Sequence, residues 1–353
     1  AAVLPLFLAG CGALSEADSG TGASESGGDG EIVAAFYPLQ YVTERVAGDA
    51  FEVTNLTGAG NEPHDLELTI RETAQISDAD LVVYMRSFQP AVDSAVDNNA
   101  SGPALDAADV VGLLPASDDH ADEDDHADED AHADEDGDDH ADEDAHADEN
   151  GDDHADEDAH ADENGEDEDA HADEDEDDHA HGDEDPHFWL DPLRMADLAD
   201  AVAAELAEIS PDLAEDFSAN AADLRADLEA VDQEYVDGLA GCEQDTVVVS
   251  HDAFAYLTKY GLEFEPIAGL SPGAEPTPAD LQRLQRVIRD EGITTVFAET
   301  LINPKLAQSL ADDLGIETAV LDPIEGLTDE TAEEDYLSLM RSNLAALTEA
   351  NSC

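Results

Sequence analysis

From Ser117 to Asp185 the chain is built almost entirely of Asp, Glu, His and Ala, and it contains no Lys, Arg or aromatic side chain. His-Ala-Asp-Glu recurs along it, with His residues commonly 6 or 8 positions apart. Such a stretch cannot bury enough apolar surface to offset the entropy of ordering it. Residues 117–185 are therefore expected to form a disordered acidic loop, and any fold must be assembled from the sequence on either side. Ten of the thirteen His fall inside this run, where their composition suggests weak metal binding. Only His64, His187 and His251 remain for the folded part.

The run holds 39 of the 92 acidic side chains, so 53 lie elsewhere against 11 Lys and Arg, and the net charge is −81. A surface this acidic repels nucleic-acid phosphates and anionic lipid head groups, which excludes a nucleic-acid partner. Its self-repulsion would destabilise a compact state, but at molar salt the Debye length falls to roughly 3 Å and the repulsion is screened. A halophilic source is expected.

Ala1 to Ala9 is almost wholly apolar and leads into Leu8-Ala9-Gly10-Cys11, then a Gly-, Ser- and acid-rich segment. It is too short to span a bilayer as a helix, which needs about 20 apolar residues, and is read as the clipped end of a secretory signal. Leu-Ala-Gly-Cys resembles the lipobox of surface lipoproteins, which implies a lipid on Cys11 and an anchor at the outer face of the cell membrane. Residues 12–30 read as a flexible tether. Outside the cell Cys242 and Cys353 are either a disulfide closing a long loop or two free thiols.

Beyond residue 30, short apolar runs alternate with helical periods. Strands are expected at Ile32–Phe36, Phe51–Leu56, Leu81–Met85 and around Val110-Val111, with helices at 38–47, 69–78 and 89–98 between them. After Asp191-Pro192, a helix cap followed by Pro at the first helical position, apolar residues mark one helix, and a second runs from Ser210-Pro211 to Gly238, about 40 Å long. Strands return at 246–249, 264–267, 294–297 and 318–321, with helices near 252–260, 278–291, 304–314 and 333–350. The fold class is α/β: two lobes, each with a parallel sheet flanked by helices. The expected division is 1–30 signal remnant, lipobox and tether; 31–116 N-terminal lobe; 117–185 loop; 186–209 remainder of that lobe; 210–240 linking helix; 241–353 C-terminal lobe.

His64 follows a strand in Asn61-Glu62-Pro63-His64-Asp65, and His251, Glu299 and Asp322 each follow a strand. Ligands in open parallel sheets bind in the crevice beyond the carboxyl ends of the strands, where all four of these residues fall. Imidazole nitrogens with one carboxylate oxygen suit Zn²⁺ in a four-coordinate site, whereas more oxygen donors would favour Mn²⁺. Phe188 and Trp189 are read as packing for the cleft wall.

Residues 31–350, apart from the acidic run, resemble the metal-binding lipoproteins of zinc and manganese ABC importers, the cluster A-I substrate-binding proteins. The resemblance rests on Ala35-Phe36-Tyr37-Pro38-Leu39, Glu62-Pro63-His64-Asp65, Pro186-His187-Phe188-Trp189-Leu190-Asp191-Pro192, Ser250-His251-Asp252-Ala253-Phe254-Ala255-Tyr256 and Leu321-Asp322-Pro323. It implies two lobes joined by one long rigid helix, with the metal in the cleft between them. His64 and His187 would be ligands from the first lobe, His251 and a carboxylate from the second. In the family the fourth ligand is an Asp at the position of Asp322, a Glu at that of Glu299, or water; Asp322 is taken here, Glu299 being either the alternative ligand or the holder of a ligand's ring N–H, and Glu62 is set off from His64 by Pro63. A His- and acid-rich loop between the first two His is typical of the zinc members.

The reading is a monomeric, lipid-anchored extracellular receptor that captures Zn²⁺, with Mn²⁺ as the alternative, and delivers it to an ABC permease and its ATPase subunit. Two other classes stand against it. Three His on zinc can activate water for hydrolysis, with Glu299 as base, but no nucleophile motif accompanies them. A surface zinc buffer or adhesin would instead act through the acidic run.

Overall fold

The computed structural model describes residues 30–116 and 184–353. The signal remnant, lipobox and tether, and all but the last two residues of the acidic run, lie outside the described residues. The first part of the chain alternates β1 (Glu31–Ala34), α1 (Tyr37–Ala47), β2 (Glu52–Asn55), α2 (Ile70–Asp78), β3 (Leu81–Tyr84), α3 (Pro90–Asn99), β4 (Ala104–Asp106) and α4 (Ala107–Val111). Its sheet is parallel, in the order β2-β1-β3-β4.

Val110 and Val111, expected in a strand, lie in α4. The Asp106 carboxylate accepts the N–H of Ala108 and caps a short helix there, so the fourth strand ends before the two valines. A local side-chain bond has overridden β propensity.

Two short strands, β5 (Leu114–Pro115) and β6 (Glu184–Asp185), pair antiparallel at the two ends of the acidic run. The Tyr256 hydroxyl secures both of them, accepting from the Leu114 N–H and donating to the Asp185 carbonyl. The two ends of the acidic run therefore meet at one place, as a tolerated insertion requires.

Next comes α5 (Pro192–Ile209), capped by the Asp191 carboxylate on the Leu193 N–H. Pro211–Leu213 then form a 3₁₀ turn, so the long helix, α6, starts later than the sequence suggests, at Ala214, and runs to Gly238. Its 25 residues span about 37 Å. Phe217, Ala221, Leu224, Leu228, Val231 and Tyr235 form one buried stripe along it at spacings of three and four. Near its start Asn220 donates to the Val46 carbonyl of the first lobe, and near its end Tyr235 donates to the Met340 carbonyl of the second. One helix thus serves both lobes.

The second lobe comprises β7 (Thr246–His251), β8 (Glu263–Ala268), α7 (Pro278–Glu291), β9 (Thr295–Ala298), α8 (Lys305–Leu314), β10 (Glu317–Val320) and α9 (Tyr336–Ala350), with a parallel sheet ordered β10-β9-β7-β8. Residues 255–260, expected to be α-helical, form a 3₁₀ segment. Side chains alternate between two cores as the strand period requires: Val247, Val249 and Phe297 join the main core, while Val248, Val296 and Ala298 join a smaller one with Leu284, Ile288 and Leu310 of α7 and α8. Both faces of the sheet are covered, which is why β7 reads as an unbroken apolar run. Cys242 and Cys353 are joined in a disulfide. Among the described residues no helix is long and apolar enough to cross a membrane.

Candidate metal centre

His64 sits in the loop after β2. Its N–H donates to the Glu62 carboxylate, and Gln89 donates to the carbonyl of Pro63, so both polar groups of the peptide bond entering His64 are held. The Phe88 ring meets the imidazole edge-on, with centroids 4.6 Å apart.

His187 and His251 are held by the same device, one in each lobe. Asp185 Oδ1 lies 2.9 Å from the His187 backbone nitrogen and 2.7 Å from Nδ1. Glu299 Oε1 lies 3.1 Å from the His251 backbone nitrogen and 2.7 Å from Nδ1. A carboxylate that catches Nδ1–H fixes the tautomer and leaves Nε2 as the donor to a metal. Asp185 ends β6, and Glu299 follows β9 as His251 ends β7, so strand ends set both pairs.

The three imidazoles converge on Glu325. Its Oε1 is 3.4 Å from Nε2 of His64, 3.4 Å from Nε2 of His187 and 3.5 Å from Nε2 of His251. All four side chains are buried, and their donor atoms lie within 4.8 Å of one another. The separations are too long for good charge-assisted hydrogen bonds, which run about 2.7–2.9 Å; correspondingly Glu325 Oε1 and Nε2 of His187 and His251 lack hydrogen-bond partners. Two donors each ~2.05 Å from a tetrahedral ion would be ~3.3–3.4 Å apart, which is the spacing found around Glu325.

Burial opposes charge on each group, yet mutual attraction prevails. The carboxylates of Asp185 and Glu325 outweigh burial at His187 and raise its pKa; Glu299 and Glu325 push His251 up to about 10. Burial would raise Glu325, but the three imidazoles hold it well below the usual carboxylate range.

Asp322 does not join the cluster. Its Oδ1 accepts the Ile324 N–H at 2.7 Å and its Oδ2 accepts the Thr300 hydroxyl at 3.1 Å, so both oxygens are engaged within its own lobe. The carboxylate among the imidazoles comes three residues later. Sequence reasoning missed Glu325 because it lies past the strand end, among 92 acids that mask any single one; the only signal was the Asp-Pro turn, which reverses the chain just before it. Glu299 binds a ring N–H, as expected, and Glu62 remains at the rim, 4.0 Å from His64 Nε2.

Fold and donor set together define a two-lobed α/β protein with a candidate metal centre shared between its lobes. Residues 32–350 match the family described as zinc-uptake complex component A, periplasmic, and the chain belongs to that family. It is 32% identical to the zinc-binding lipoprotein AdcA of Streptococcus pneumoniae over 98% of its own length, but it spans only 59% of the length of that relative. It is 30% identical to the high-affinity zinc uptake system protein ZnuA of Bacillus subtilis, covering 97% of this chain and 93% of that one. The Zn(II)-bound ZnuA-like domain of S. pneumoniae AdcA matches with a TM-score of 0.65 at 29% identity, covering 92% of this chain and 100% of that domain.

Proposed function

We propose that this chain is a high-affinity extracellular zinc receptor that hands Zn²⁺ to an ABC-type importer, docking on the permease whose ATPase subunit drives transport. The observation that carries the reading is the convergence of three imidazole Nε2 atoms and one carboxylate oxygen at 3.4–3.5 Å in a buried site. Three nitrogens and one oxygen favour Zn²⁺ over Mn²⁺, and membership of a zinc-uptake family supports the same cargo. Lipidation of Cys11 would anchor the receptor, as a monomer, at the outer membrane face.

The ligand set divides evenly between the lobes, with His64 and His187 from the first and His251 and Glu325 from the second. Drawing the lobes apart would therefore leave two donors on each side, too few to hold the ion. This links opening of the cleft to release. Interlobe bonds oppose opening: Trp189 Nε1 donates to the Pro323 carbonyl at 2.7 Å, and the Tyr336 hydroxyl donates to the Trp189 carbonyl.

The test is metal content and affinity of purified protein lacking residues 118–183. The shortened chain is expected to retain one tightly bound zinc ion, to bind Mn²⁺ much more weakly, and to lose the weaker sites that ten additional His would supply. Loss of the tight site on deletion would instead place the working ligands in the acidic run, as the buffer reading requires.

Protons compete for the same atoms. A proton on His251 is favoured up to about pH 10 and sits on Nε2, the atom a metal needs, so zinc must displace it. This proton stabilises the fold fully below the ordinary imidazole pKa of 6.5, and the benefit is lost as pH rises through about 10. Zinc affinity should accordingly rise about tenfold per pH unit for each proton displaced, and the increase in Tm on adding zinc should widen over the same range. Calorimetric titration and thermal melts between about pH 6 and pH 8.5 check both; a flat profile would count against imidazole ligation.

A further inference from the structure

We infer that Asp322 is a positioning residue that folds the chain so that Glu325 reaches the three imidazoles, and is not itself a ligand. The inference rests on the reading of Glu325 as a zinc ligand.

Ile324 has a φ of 59° and is fully buried. The left-handed region is costly for a β-branched residue and persists only where its surroundings impose it. The imposing bond is the one from the Ile324 N–H to Asp322 Oδ1 at 2.7 Å, an Asx turn across a Pro323 whose ring already restricts φ.

The turn is then fixed in place from three sides. Thr300 donates its hydroxyl to Asp322 Oδ2. The buried Asn343 of α9 grips the Asp322 backbone twice, accepting its N–H at 2.9 Å and donating to its carbonyl at 2.6 Å. Trp189 of the first lobe donates to the Pro323 carbonyl. A turn held this way delivers the residue after Ile324 into the cleft, and that residue is Glu325, only 1% exposed. A shift of the turn would move the carboxylate that, among the described residues, all three imidazoles share.

The experiment compares zinc affinity, by competition with a chelator, in D322A, D322N, E325Q and the D322A/E325Q double variant. Visible spectra of the Co²⁺-loaded proteins report whether four-coordinate geometry is kept. Asn retains the Oδ1 acceptor for the Ile324 N–H, so D322N should stay within about threefold of the parent and keep the intense four-coordinate Co²⁺ bands. D322A should lose about 10–100-fold, the range for removing a group that orients a metal ligand, and its Co²⁺ bands should weaken. Because Asp322 acts through Glu325, D322A should cost little further affinity in the E325Q background.

The inference is overturned if D322N falls as far as D322A, which would make the carboxylate itself the working group, or if folded D322A binds as tightly as the parent. Parent-like affinity in E325Q is a separate outcome, and it would remove Glu325 from the ligand set. Should D322A not fold, T300V serves in its place: it unpins Oδ2 and leaves the charge, so a severalfold loss supports the inference and unchanged affinity overturns it.

Discussion

Replacing Glu325 by Gln is expected to weaken zinc binding by at least about a hundredfold while leaving the two lobes folded. Glu325 meets all three imidazoles, its Oε1 lying 3.4–3.5 Å from each Nε2. Gln keeps the size and an oxygen but not the charge, so the cluster would have to hold a divalent ion with neutral donors alone, in a buried place where unbalanced charge is expensive. Removing one partner of a buried charge pair costs about 3–5 kcal/mol, which corresponds to a loss of roughly a hundredfold to several thousandfold in affinity. A competitive titration against a chelator of known affinity measures it. A change of only a few-fold would show that the fourth position is filled by something other than this carboxylate.

The contrast between Glu325 and Asp322 also shows where the sequence stopped being readable. Both parallel sheets were legible, because Leu81-Val82-Val83-Tyr84 and Thr246-Val247-Val248-Val249 are buried on both faces and read as unbroken apolar runs. The convergence of His64, His187 and His251 was legible for a different reason: once the repetitive run is set aside, no other His remains, and His251 ends β7. The carboxylate was not. Choosing between Asp322 and Glu325 depends on which oxygens are already engaged, and the bonds that engage those of Asp322 come from Thr300, 22 residues away, and from the N–H of a residue in an unusual backbone conformation. Strand-end position points to Asp322 alone; hydrogen-bond accounting is what moves the role to Glu325. Asp185 escaped notice likewise, since its place at the edge of the acidic run disguises it, yet it is the acid that orients His187. Val110 and Val111 lie in a helix because the Asp106 side-chain cap, four and five residues earlier, outweighs their β-branching.

Breaking the Cys242–Cys353 bridge is expected to lower stability by about 4–5 kcal/mol and leave zinc affinity within severalfold of the parent. The two residues are 111 apart in sequence, and in the chain-entropy model a crosslink closing a loop of ~100 residues restricts the unfolded chain by about 4.7 kcal/mol. The loop it closes contains the whole second sheet, so the unfolded ensemble loses freedom throughout that lobe. In the folded state the region is already held by other bonds: the Asn351 carbonyl accepts N–H groups from Glu243 and Gln244, and the Cys353 N–H donates to the Thr348 carbonyl. These should keep α9 docked without the bridge, so Asn343 still grips Asp322 and the site keeps its shape. For a folded part of this size the loss should lower Tm by on the order of 10 °C. Thermal melts of Cys353→Ser, with and without reductant, give the measurement. The variant should melt like the reduced parent and be insensitive to reductant, whereas a parent whose Tm does not move on reduction would show that the crosslink does not constrain the unfolded chain. A large fall in zinc affinity in a variant that still melts cooperatively would mean that α9 depends on the bridge for its position, and through Asn343 the Glu325 turn as well.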